Sequence, residues 1–151
     1  MASGLPVGAF TASRELMLSF QAGPKLGHIT TFGGNPVIAA ACLATLKELL
    51  QTNLVQETLE KEKLFRALLI HPSIKEIRGK GLMLALIMED AEKANELVLR
   101  AKENKLILFW LLFEPRAVRL SPPLTIATDE IKKGCRVILS ILNSPKQYPV
   151  N

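Results

Sequence analysis

The chain has 151 residues, 48% of them hydrophobic and 22% charged, with a net charge of +5. That is the length of one ordinary domain, able to bury roughly 68–70% of its unfolded surface, and nine Gly and nine Pro are too few for a disordered or collagen-like chain. The basic balance does not point to nucleic acid: Lys and Arg are scattered and interleaved with Glu, as in Glu60-Lys61-Glu62-Lys63, and form no phosphate-tracking run.

In chain order, residues 7–12 form an apolar segment that predicts a short strand, and Ser13 is placed to cap a brief helix over 14–20. Residues 21–34 are glycine-rich and predict a loop. Asn35-Pro36 reads as a helix start, because Asn accepts from free first-turn amides and Pro needs none. Ile38, Ala41, Cys42, Thr45, Leu46 and Leu49 then recur at helical spacing. A second helix is predicted over 54–69, with Val55, Leu59, Phe65 and Leu69 inward and His71-Pro72 as its stop. Strands at 74–78 and 82–88 are joined by Gly79-Lys80-Gly81. A helix over 90–104 buries Ala94, Leu97, Val98 and Ala101. Residues 105–113 and 117–120 flank a turn at Glu114-Pro115-Arg116 and predict a further strand pair. Last, Thr128 is the expected cap of a helix that buries Ile131, Cys135, Ile138 and Leu142. Helices alternating with strands predict an α/β or α+β fold.

No run reaches the ~18 apolar residues of a membrane span, and the first residues lack the basic start and apolar centre of a signal peptide. Cys42 and Cys135 fall in apolar helical stretches and read as core residues, so a reduced, cytoplasmic setting is the expectation. No His/Cys spacing predicts a metal site.

Two stretches could carry chemistry. His28-Ile29-Thr30-Thr31-Phe32-Gly33-Gly34-Asn35-Pro36 sets two hydroxyls and two glycines before a helix start, where an anion is favoured; an ordinary capped turn would look the same. Arg119 ends an apolar strand ahead of Ser121-Pro122-Pro123, a position that suits a carboxylate but also suits a plain surface arginine. His28 has no carboxylate or nucleophile near it in sequence, and His71 before Pro72 reads as structural. Arg78-Gly79-Lys80-Gly81 lacks the spacing of a phosphate-binding loop and reads as a turn.

Taken in order, Gly4-Leu5-Pro6-Val7-Gly8-Ala9, Thr30-Thr31-Phe32-Gly33-Gly34-Asn35-Pro36, Arg78-Gly79-Lys80-Gly81-Leu82-Met83 and Arg119-Leu120-Ser121-Pro122-Pro123-Leu124 resemble the C-terminal portion of a class III, pyridoxal-phosphate-dependent aminotransferase of the acetylornithine and ornithine branch. The resemblance implies the end of a fold-type I large domain over 1–53 and a small α/β domain over 54–151. It implies amino transfer between an amino acid or amine and a 2-oxo acid. Thr31, with Thr30 beside it, resembles the threonine that reaches the cofactor phosphate of the neighbouring subunit. Arg119 resembles the arginine that holds the substrate α-carboxylate.

The family's cofactor-binding lysine lies just ahead of the Gly-Leu-Pro-Val-Gly-Ala motif, a place that would precede Met1. The 151 residues alone are therefore expected to be inactive, with no catalytic residue of their own. The rival expectation is a stand-alone, non-catalytic interaction or regulatory module derived from the small domain. Apolar residues on the 36–50 helix, including Ile38, Cys42, Leu46 and Leu49, predict a two-fold homodimer with the 30–34 loop near its interface.

Overall fold

In the computed structural model, which describes residues 1–21, 23 and 29–144, the chain divides into two compact units, Met1–Asn53 and Leu54–Asn151.

The first unit contains two α-helices. Ser13 caps α1 (Arg14–Leu18) by accepting a hydrogen bond from the Leu16 amide, and a single 3₁₀ turn, Ser19–Gln21, continues it. Helix α2 (Pro36–Gln51) begins as expected: Asn35 Oδ1 accepts from the Val37 and Ile38 amides, and Pro36 occupies the first turn. Residues 7–12 do not form the predicted strand, because among the described residues no neighbouring strand offers them a ladder; the only pairing nearby is the Ala2–Leu5 bridge.

The second unit is a four-stranded antiparallel sheet covered on one face by three helices. In sequence it runs α3 (Thr58–Leu68), β1 (Ile74–Lys80), β2 (Met83–Met88), α4 (Ala91–Glu103), β3 (Phe109–Trp110), β4 (Ala117–Leu120) and α5 (Thr128–Asn143). The spatial order is β1-β2-β4-β3, antiparallel throughout. Strand periodicity sends Leu84, Leu86, Met88, Val118 and Leu120 to the inner face, where they join Phe65 and Leu69, the α4 stripe, and Ile131, Cys135, Ile138 and Ile141 of α5 in one core. Asp90 caps α4 through the Lys93 amide, and the expected residues Ala94, Leu97, Val98 and Ala101 are all buried.

Some expectations need correction. Val55 and Leu59 are about half exposed: Val55 precedes the regular helix, which begins only at Thr58, and Leu59 lies in its first turn, on a different side of the helix from the buried Phe65. Thr128 is the first helical residue rather than the cap; Ala127 holds that position, and Glu130 Oε2 reaches back to accept from its amide. On α5 it is Ile141 that is buried, with Leu142 only partly covered. The strand predicted over 105–113 shortens to two residues. Lys105 has φ +60° and the Leu106 amide turns back to the Ala101 carbonyl, so these residues belong to the exit from α4, and in the observed register only they would stand opposite Pro123 and Pro122; downstream the strand meets the Glu114-Pro115 turn.

Candidate functional site

The sheet's outer face carries the most informative geometry. Direct cross-strand partners lie on the same face, and the register aligns Arg78 of β1, Ala85 of β2, Arg119 of β4 and Phe109 of β3 in one row. Residues two further along continue the face, and a groove of about 210 Å³ runs over Arg78, Met83, Ala85, Leu111, Arg119 and Ser121. Arg119 is exposed, and its guanidinium carbon sits 5.2 Å from the centroid of the Phe109 ring. Among the described residues it forms no ion pair, so the aromatic face orients a guanidinium whose hydrogen-bond donors stay available.

The β1–β2 hairpin that presents Arg78 is clamped from below by α3. Glu62 accepts from Arg66 Nε (2.9 Å) and from the Gly81 amide (2.5 Å), and Arg66 donates to the Ile77 and Gly79 carbonyls. The Gly81 amide, then Arg66, hold the Glu62 carboxyl below the usual glutamate range. A carboxyl more acidic folded than unfolded stabilises the fold above its unfolded pKa, and that contribution is lost as pH falls through the lower folded value. Glu62→Gln is accordingly expected to lower the unfolding midpoint at neutral pH and to flatten its decline on acidification, measured by urea unfolding across the acid range.

In the first unit, Thr30, Phe32, Gly33, Gly34 and Asn35 share a pocket of about 230 Å³ with Pro6, Val7, Gly8, Ile38 and Ala39. The turn closes through Gly33 N to Thr30 O (3.0 Å) and Asn35 N to Phe32 O (3.1 Å). A Cβ on Gly33 would stand 2.9 Å from Thr30 Oγ1, and Gly34 has φ +72°, so both glycines are required by the turn itself. Thr30 and Thr31 are exposed. Because Asn35 already engages the Val37 and Ile38 amides, the hydroxyls are the free donors of this loop rather than the helix end.

Of the remaining candidates, the described ones are structural or only partly buried. His71 Nδ1 accepts from the Ser73 amide at the turn into β1, while His28 lies outside the described residues. Cys135 is buried, which pushes its thiol up to about 11 and leaves it inert, whereas Cys42 is only half-buried. Sequence reasoning missed Phe109 and the part played by Glu62 and Arg66. The first is visible only through strand register, the second only through the packing of α3 on the hairpin.

Comparison with known proteins supplies the family. The sequence model of Aminotransferase class-III matches residues 1–142. An acetylornithine aminotransferase of Bacillus subtilis is 38% identical over 138 residues, 89% of this chain and 34% of that protein. One from Oceanobacillus iheyensis is 37% identical over 137 residues, covering 87% and 33%. Among solved structures, a Bacillus anthracis aminotransferase superposes with a TM-score of 0.72 at 27% identity, over 85% of this chain and 33% of that one. An ornithine δ-aminotransferase of Plasmodium falciparum gives 0.70 at 30% identity, over 86% and 34%. The chain thus spans about a third of the length of these relatives. By the extent of the family match, over residues 1–142, the chain belongs to the class III aminotransferases.

Proposed function

We propose that this chain forms the small domain (54–151) and the adjoining end of the large domain (1–53) of a pyridoxal-phosphate-dependent aminotransferase, one that moves an amino group between an amino acid or amine and a 2-oxo acid. The observation that carries the reading is Arg119: an exposed guanidinium without an ion pair among the described residues, braced on Phe109 at 5.2 Å and set over a groove floored by Met83, Ala85 and Leu111. Such a group binds a substrate carboxylate by paired hydrogen bonds and fixes the orientation of the molecule that bears it.

The loop of Thr30 and Thr31 fits the phosphate end of the cofactor, since a turn closed by two glycines leaves two hydroxyls free to donate. When bound, the cofactor supplies the electron sink that labilises the substrate's α-hydrogen. In this reading the loop serves the neighbouring subunit. Helix α2 supports that assembly: it is apolar along most of its length, yet none of its residues is buried, and Val37 and Leu50 are 68% and 85% exposed. A two-fold dimer covers such a surface, and sedimentation equilibrium is expected to show self-association; a monomer persisting at high micromolar concentration would count against it.

Residues 1–151 by themselves are proposed to be inactive, because none of their twelve lysines stands at the place, just ahead of Gly4-Leu5-Pro6-Val7-Gly8-Ala9, where the resembled family carries its cofactor-binding lysine. Borohydride treatment with pyridoxal phosphate followed by mass mapping is expected to give diffuse surface labelling, and one stoichiometric site would refute this. Amino transfer is expected when residues 1–151 replace the matching third of the Bacillus subtilis relative. In that chimera Arg119→Met should lower kcat/KM about 100-fold, as loss of a bidentate carboxylate contact would. A folded chimera that binds cofactor but does not turn over would favour the non-catalytic module instead.

A further inference from the structure

The β3–β4 ladder is short, and it opens upstream of Phe109. Continued in register, Leu108 would stand against Leu120 and Ile107 against Ser121, but among the described residues neither pair forms. The Leu106 amide turns back to the Ala101 carbonyl instead, and Pro122 has no amide hydrogen to give. Helix α5 covers the gap between the two segments. A pocket of about 220 Å³ remains there, with Leu106, Leu108, Leu120, Ile131 and Ile138 among its walls.

Gly134 stands in the α5 wall of this pocket, in the interior of the helix. Glycine is a costly residue there, and the usual reasons for it are missing. Its backbone is ordinary helix, and a Cβ would meet no residue of another element nearer than Leu106 Cδ1 at 3.9 Å, an unstrained contact. The effect of the missing side chain is to leave the pocket open. Two exposed polar residues, Ser121 and Glu130, stand at its mouth. Glu130 Oε2 accepts from the Ala127 amide, while among the described residues Oε1 takes no hydrogen bond. Arg119 also borders the pocket, but its guanidinium is engaged on the Phe109 ring.

We infer that this pocket binds a neutral, flat aromatic molecule of two fused rings that carries one hydrogen-bond donor. Volume sets the size: an apolar cavity of about 150 Å³ holds a single benzene ring, so the larger space here takes a bicycle. Apolar walls select carbon surface, and the free carboxylate oxygen at the mouth selects an N–H or O–H while disfavouring an acid. A ligand seated where the ladder opens ties residues 106–108 to β4 and stabilises the Leu54–Asn151 unit by mass action.

Methyl NMR of the 151-residue protein, titrated with indole and with benzofuran, tests this. Indole offers an N–H, and benzofuran has the same shape with an oxygen in its place. Indole is expected to shift the methyl signals of Leu106, Leu108, Ile131 and Ile138 saturably, to raise the unfolding midpoint, and to bind about fivefold tighter than benzofuran. Glu130→Gln keeps an oxygen for the Ala127 amide but puts an NH2 in place of the free one; indole affinity should fall to that of benzofuran, whose own stays unchanged. Gly134→Leu fills the pocket from the helix side. It should weaken indole binding at least about tenfold while unfolding no earlier than wild type, because the helix is relieved of its glycine. If that variant fails to fold, Gly134→Ala, whose Cβ fits without strain, carries the test with an expected loss of about threefold. Indole without saturable shifts, or bound undiminished by the filled variant, overturns the site. Equal affinity for the two probes, or none lost in Glu130→Gln, overturns the donor-bearing ligand assigned to it.

Discussion

Replacing Gly79 with alanine is expected to destabilise the Leu54–Asn151 unit by about 2–3 kcal/mol, the cost of a side chain forced into a backbone conformation reserved for glycine. Gly79 has φ +111°, and a Cβ there would stand 2.0 Å from the Met83 carbonyl oxygen and 3.0 Å from the Leu84 Cα. Both obstacles are backbone, so no rotamer change relieves them, and the β1–β2 ladder has to shift. Gly81, two residues on, is the internal comparison. Its φ of +59° is a left-handed conformation that other residues tolerate at about 1–2 kcal/mol, and its Cβ would meet only the Thr58 side chain at 3.2 Å. Urea unfolding followed by Trp110, the sole tryptophan, reads this unit. A Gly79→Ala midpoint no lower than that of Gly81→Ala would contradict the assignment of strain.

That hairpin also marks where the sequence was readable and where it was not. Gly79-Lys80-Gly81 announces a turn between two strands, and both strands form, but Gly79 and Lys80 pair with Leu84 and Met83 inside the ladder, so the turn itself falls at Gly81-Leu82 rather than over the predicted three residues. Helices α2 and α4 were equally legible, because Asn35-Pro36 and Asp90 are local signals acting on the next three residues. Where the outcome depended on a distant partner, local pattern misled. Residues 7–12 have the composition of a strand but no ladder among the described residues, and of residues 105–113 only Phe109 and Trp110 pair, the start of the segment being held back toward α4 by the Leu106 amide on the Ala101 carbonyl. The candidate site divides in the same way. Arg119 and Thr31 stand in motifs that can be read along the chain, but the row Arg78–Ala85–Arg119–Phe109 exists only once register is known.

The second large effect is expected at the centre of the sheet. Leu86 lies on β2 between Ile77 of β1 and Val118 of β4, faces the helices and is fully buried. The strands on either side are fixed by their hydrogen-bond ladders. Above it the core is packed with Leu97 of α4 and Ile138 of α5, both buried, so neither layer can close over a missing side chain. Leu86→Ala is therefore expected to cost about 3 kcal/mol or more, the lost transfer energy plus the cavity left behind. Met83, three residues earlier on the same strand, is 80% exposed, and Met83→Ala should change stability by no more than about 0.5 kcal/mol. The outer face matters for a different reason: it presents Arg78 and Arg119, and the inner face holds the sheet that sets their spacing. If Leu86→Ala unfolds no earlier than Met83→Ala, the helices do not pack on the face described, and the row of arginines on the opposite face loses its footing.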